Sequence, residues 1–205
     1  MRASRPWLLT GVLLAVSACG GPSPGEPAGE EMVAENLAED VETDPPSELQ
    51  LPATPQEFAN RLAAVNRYEV EAATIAAERA ASPEVKAFAE QVIAHHRSAA
   101  LMLRAQAARL RPPVRPASVM TTPQVQGLAA LRAVEADGFD RLFIDQQVRA
   151  HERTAALLTL YAAEGSEPRL RALARASLPQ IEQHLEAARA LQAPKSEAEP
   201  AVNQE

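Results

Sequence analysis

Residues 54–85 read TPQEFANRLAAVNRYEVEAATIAAERAASPEV, and this stretch decides the fold. Thr54-Pro55 places a capping side chain before a proline whose fixed φ suits the first helical position, and Ser82-Pro83-Glu84 repeats the signal. Between the two, apolar side chains recur three and four residues apart. The spacing predicts one helix from residue 55 to about 81 and a second opening at Pro83 and ending near Leu110.

Working outward, residues 111–122 carry Pro112, Pro113 and Pro116 and read as a long connection. Pro123 opens a short helix to about Ala136, and Asp137-Gly138 marks a break. A third long helix follows over 139–164, then a turn at Gly165-Ser166-Glu167-Pro168, then a fourth helix to about Leu191. Pro179 falls inside that last helix, where its missing N–H predicts a kink or a shifted start. No stretch alternates with period two, so no sheet is expected. The fold class is all-α: an antiparallel four-helix bundle over residues 54–193, with a short extra helix before the third long one.

Each long helix has an apolar seam, and each seam holds one residue foreign to an apolar core. The first seam is Phe58, Leu62, Val65, Glu69, Ala72, Ala76; the second is Val85, Ala89, Val92, His96, Ala99, Leu103. The third is Ile144, Val148, His151, Ala155, Leu158, and the fourth is Leu170, Ala174, Ser177, Ile181, His184, Ala188, Leu191. Glu69 and His96 are equidistant, to within a residue, from the Ser82-Pro83 turn, and His151 and His184 from the Glu167-Pro168 turn. In an antiparallel hairpin such residues sit level. With both turns at one end, the four side chains converge in one layer.

Two readings of that layer stand side by side. Buried polar groups need partners, so Glu69 accepting hydrogen bonds from histidines would fix helix register. Alternatively, three imidazoles and a carboxylate suit zinc, copper or iron, which makes Glu69, His96, His151 and His184 candidate metal ligands. A di-iron centre needs Glu-x-x-His pairs. Ile93, Val148 and Ile181 stand three residues before the histidines, so no such pair exists.

Charge and composition narrow the function classes. The central domain carries a net charge of +2, while residues 19–53 carry −9 and no lysine or arginine. A near-neutral domain lacks the clustered basic face that nucleic acid requires. With 3% aromatic residues, base-stacking platforms have little to be built from. No Ser-His-Asp arrangement, phosphate loop or cofactor fingerprint is present, so the chain reads as a binding or structural protein rather than an enzyme.

The amino terminus points to export. Arg2 and Arg5 precede an apolar stretch over residues 7–16, too short to span a membrane core, which takes about 20 residues. Positive start, short apolar middle and small residues describe a signal peptide over residues 1–18. Val16-Ser17-Ala18-Cys19 resembles a bacterial lipobox, which makes Cys19 the lipidation site and the membrane a partner through the lipid. Gly20 after the cysteine, rather than aspartate, implies the periplasmic face of the outer membrane over the inner membrane. Residues 20–53, rich in proline, glycine and acid, read as a disordered tether, and 194–205 as a disordered tail.

The core resembles a bacterial family of exported, ferritin-like proteins of unknown function, often labelled outer membrane proteins. The matching segments are Glu69-Val70-Glu71 through Ser82-Pro83-Glu84-Val85, Phe88-Ala89 through His96, Gly138-Phe139-Asp140 through His151-Glu152, and Leu178-Pro179 through His184-Leu185. The resemblance implies a ferritin-like four-helix bundle and no particular activity. It also implies aspartates just before the helix-2 and helix-3 histidines, where this chain has His95 and Ala150. His95, Asp140 and Asp145 are then the candidates to hydrogen bond to and orient the ligating histidines. Three functions are open on the sequence: a lipid-anchored periplasmic bundle that binds a transition metal or small ligand at the Glu/His layer, an envelope lipoprotein that holds a protein partner and uses the layer only for register, and, least favoured, an oxidase or hydrolase with a catalytic metal at that layer.

Overall fold

The computed structural model describes residues 50–193. The expected signal peptide, Cys19, the acidic tether up to residue 49 and the tail from 194 lie outside the described residues. Within them the chain is all-helical: α1 (Pro55–Arg79), α2 (Pro83–Ala107), α3 (Thr122–Ala133), α4 (Ala136–Glu164) and α5 (Pro168–Gln192).

The caps follow from the sequence signals. Thr54 Oγ1 accepts from the Glu57 N–H, Ser82 Oγ from that of Val85, and Glu167 from that of Arg169. Thr121 and Gln124 form a reciprocal capping box at α3. These side chains satisfy N–H groups that lack a partner in the first turn.

Two boundaries differ from expectation. α2 stops at Ala107, because its carbonyl accepts from the N–H groups of Leu110 and Val114 and the chain turns there. The break before the third long helix falls at Val134-Glu135, both extended, not at Asp137-Gly138. The Arg79 guanidinium explains the shift: it donates to the carbonyls of Leu131, Arg132 and Val134, satisfying the end of α3. α5 keeps Pro179 inside it, with its start at Pro168 unshifted. Ala174 and Ile181, buried on either side of the proline, hold the helix together against a cost of about 3 kcal/mol.

α1 packs along α2, and α4 along α5, while α2 also meets α5 and α3 rests on α1 and α4. Two apolar clusters fill the interior. One gathers Ala76, Ala80, Phe88, Phe139, Phe143 and Ala188; the other gathers Phe58, Leu103, Leu158, Tyr161, Leu170 and Ile181. Phe58 and Tyr161 stack in the second, with ring centroids 3.7 Å apart. Gly165 closes α4 there because a Cβ would come within 2.6 Å of the Tyr161 ring and carbonyl.

The clusters give the helix directions. α1 enters through the Phe58 cluster and leaves through the Phe88 cluster, and α5 runs the same way; α2 and α4 run the other way. The α1–α2 turn therefore lies at the Phe88 end and the α4–α5 turn at the Phe58 end, so the condition of one shared end is not met. The connection from residue 108 to 135, with α3 inside it, runs from the Phe58 end of the bundle to the Phe88 end. The polar residues converge all the same, because each sits near the middle of its helix, where end-to-end inversion hardly changes its height.

Candidate metal centre

Between the two apolar clusters lies a polar layer. Asn66 and Glu69 come from α1, His96 from α2, Gln147 and His151 from α4 and His184 from α5, and all six are buried, with 2% exposure or less. Each seam thus switches from one apolar cluster to the other across its polar residue.

One ring nitrogen from each of His96, His151 and His184 lies within 4.8 Å of the other two. His151 Nε2 and His184 Nδ1 are 3.2 Å apart. Tetrahedral binding at metal–nitrogen distances of ~2.0–2.1 Å would set ligand nitrogens ~3.3 Å apart. One edge of the triangle is close to that length, and the other two are no longer than 4.8 Å.

Hydrogen bonds fix how the rings present themselves. Asn66 Oδ1 lies 2.9 Å from His96 Nδ1, so Nδ1–H donates and Nε2 keeps its lone pair. His151 Nδ1 lies 2.9 Å from the Gln147 carbonyl, an acceptor only, so His151 donates there and its Nε2 faces the cluster. His184 reaches His151 through Nδ1 and His95 through Nε2, the latter at 2.7 Å. Gln147 Nε2 donates to Glu69 Oε2 at 2.8 Å.

Four buried atoms of the layer have no hydrogen-bond partner: His96 Nε2, Glu69 Oε1, Asn66 Nδ2 and Gln147 Oε1. Leaving a buried polar atom unsatisfied costs ~1–3 kcal/mol. Two of the four, an imidazole lone pair and a carboxylate oxygen, are cation-binding groups.

Electrostatics act in the same sense. Burial pushes the Glu69 carboxyl above the ordinary carboxylate range, opposed by nearby His151, the Gln147 hydrogen bond and Arg153. Burial, reinforced by the neighbouring histidines, holds His96 well below the usual imidazole value and His184 at about 3. Neutral imidazoles with lone pairs are the ligating form. A cavity of about 70 Å³ flanks Glu69, with Tyr68, Gln124, Arg153 and Thr154 in its walls.

The structure brings the three histidines together as anticipated, with Glu69 in the same layer but held by Gln147. His95, exposed on α2, meets His184 edge to edge, its Nδ1 2.7 Å from His184 Nε2, with the ring planes 17° apart and the centroids at 4.9 Å. Asp140 and Asp145 do not serve the histidines. Asp140 accepts from the N–H groups of Ala81 and Ser82 in the α1–α2 turn. Asp145 accepts from Gln192 and faces Arg141. The groups that orient the rings are Asn66 and the Gln147 carbonyl, which sequence reasoning passed over. Asn66 lay in view, three residues before Glu69 and therefore one turn away on the same face. A backbone carbonyl has no sequence signal.

Fold and site together define a helical bundle with a buried trihistidine cluster between two apolar cores. Residues 40–191 match DUF4142, a domain of unknown function, and the chain belongs to this family. No curated protein sequence matches the chain. Among solved structures it is similar to a DUF305 fragment from Deinococcus radiodurans, at 17% identity and TM-score 0.59, covering 69% of this chain and 97% of that one. It is also similar to CopM in the Cu(I)-bound form, at 19% identity and TM-score 0.56, covering 67% of this chain and 94% of that one. At these identities the likeness is one of fold.

Proposed function

We propose that this protein is an exported, lipid-anchored binder of one transition-metal ion, held by His96, His151 and His184 with Glu69 beside them. The observation that carries this reading is the convergence of three buried imidazoles, one of which, His96, has an unpartnered Nε2. An entirely structural layer would be expected to satisfy its buried atoms, and four here are unsatisfied. Copper is the first ion to test, ahead of zinc and iron, because imidazole suits it and the fold is shared with CopM, whose solved form holds Cu(I). The bundle is of antiparallel, ferritin-like type, with the stretch from 108 to 135 as the single long crossover between two hairpins. Its place is the periplasmic face of the outer membrane, tethered through Cys19, and its role there is non-catalytic.

Metal analysis of the purified protein after anaerobic exposure to Cu(I), or to Zn(II), tests the site. About one ion per chain is expected in the parent and a loss of most of it in His151→Ala, with far-UV circular dichroism unchanged. Equal and negligible metal in both proteins sinks the reading.

A second reading rests on a different observation: the hydrogen bonds run unbroken from His95 through His184 and His151 to Gln147. Such a chain locks α2, α4 and α5 in register with no ion, in a lipoprotein that holds a protein partner. It expects His184→Leu, which breaks the chain and leaves buried His151 Nε2 without its donor, to lose ~1–3 kcal/mol of stability, with neither protein retaining metal.

A further inference from the structure

The metal reading makes a demand on His184 that His95, the residue facing its Nε2, can meet. Gln147's carbonyl accepts from His151 Nδ1, so a neutral His151 has only a lone pair at Nε2. Across 3.2 Å, His184 Nδ1 must then carry the hydrogen and donate to it. A neutral His184 therefore has its lone pair at Nε2, which accepts from His95 Nδ1 at 2.7 Å. Every hydrogen bond in the chain points inward, from the exposed ring towards the Gln147 carbonyl.

An ion among the three buried histidines reverses part of this. To ligate, His184 must clear Nδ1 and carry its hydrogen on Nε2. The Nε2–H then needs an acceptor, and the atom it faces is His95 Nδ1. We propose that His95 is a positioning residue for the metal centre, reversing its hydrogen bond with His184 so that His184 adopts the ligating tautomer. This rests on the metal reading of the same site and adds the group that completes it. The protons balance: the shared proton crosses from His95 Nδ1 to His184 Nε2, the His184 Nδ1 proton leaves to solvent, and His95 Nε2 takes one from solvent. Both rings stay neutral. His95 suits the task because it is exposed, so its own Nε2 can exchange with water. Its ring lies near-parallel to that of His184, with 17° between planes, which keeps the two nitrogens facing each other in either direction of the bond.

The test compares affinities for Cu(I) and Zn(II), by chelator competition, in the parent, His95→Leu and His95→Glu. Partners that orient a ligating histidine are worth ~10–100-fold in affinity. His95→Leu, with no acceptor, is expected to weaken binding by about that factor, and His95→Glu, with an acceptor-only carboxylate, to restore it. Because glutamate also adds charge, the double variant His95→Leu with Gln91→Glu, one exposed turn away, serves as control and is expected to stay weak. In the parent, ¹⁵N shifts of the His184 ring are expected to report Nδ1–H without metal and Nε2–H with Zn(II). Affinity in His95→Leu within two-fold of the parent, or an unchanged His184 tautomer on loading, overturns this proposal alone. A parent that binds neither ion overturns the metal reading and this proposal with it.

Discussion

Asn66 Oδ1, on α1, lies 2.9 Å from His96 Nδ1, on α2. That single contact determines which His96 nitrogen is left for a ligand, because the ring can offer Nε2 only while Nδ1–H has an acceptor. Replacing Asn66 with leucine removes the acceptor and frees the ring to rotate. Affinity for the bound ion is expected to fall ~10-fold or more, with the fold retained. Asn66→Asp keeps an acceptor and is expected to bind at least as tightly as the parent. Chelator competition on the two variants checks the pair, and equal weakening in both would show that Asn66 matters for packing alone.

The metal-free protein carries opposing pH dependences within one layer. Folding lowers the affinity of His96 and His184 for protons, so below about pH 6.5 the unfolded chain takes up more protons than the folded one. Their contribution is present above that value and is lost as pH falls towards about 3 for His184. Glu69 has the opposite sign: its folded-state pKa is raised, so its contribution is complete below the ordinary value of 4.5 and is lost as pH rises through the folded value. Each group can change stability by at most about 1.4 kcal/mol per pH unit. Glu69→Gln removes the second effect only. Urea melts of the metal-free protein should show Glu69→Gln gaining more over the parent at pH 7.5 than at pH 4.5. A difference independent of pH would mean that Glu69 is not buried against its charge.

Asp140 illustrates a residue whose role moved. Its carboxylate receives the N–H groups of both Ala81 and Ser82, so α4 ties down the turn between α1 and α2. Hydrogen bonds to a charged acceptor contribute ~1.5–3 kcal/mol each when well made, and partial exposure here argues for the low end. Asp140→Ala is expected to destabilise the protein by ~2 kcal/mol and to leave metal stoichiometry untouched. A loss of metal without a loss of stability would restore Asp140 to the site.

What was legible in the sequence follows from periodicity and capping. Thr54, Ser82, Thr121 and Glu167 each carry a capping side chain next to a proline, or one residue from it, and those local signals set the helix starts. The histidines were legible because a polar residue in an apolar seam is conspicuous, and mid-helix position made their meeting insensitive to chain direction. Direction itself was not legible. It depends on whether residues 108–135 return to the near end or cross to the far one, and that is decided by long-range packing of Leu128 and Leu131 in the Phe88 cluster. The α3–α4 boundary failed for a similar reason: Arg79, more than fifty residues away in sequence, supplies the donors that end α3.

The export expectation has a test independent of the bundle. No helix among the described residues is long and apolar enough to cross a membrane. Attachment through Cys19 would be covalent and lipid-borne. Cys19→Ser removes the thiol that a lipid would occupy and leaves residues 54–193 unchanged. On detergent phase separation of bacterial cells expressing the protein, the parent is expected in the detergent phase and the variant in the aqueous phase. Mass spectrometry of the parent's mature amino terminus is expected to begin at Cys19 with an added lipid mass. A variant that partitions as the parent does would place the anchor elsewhere in the chain and remove the reason for reading residues 20–53 as a tether.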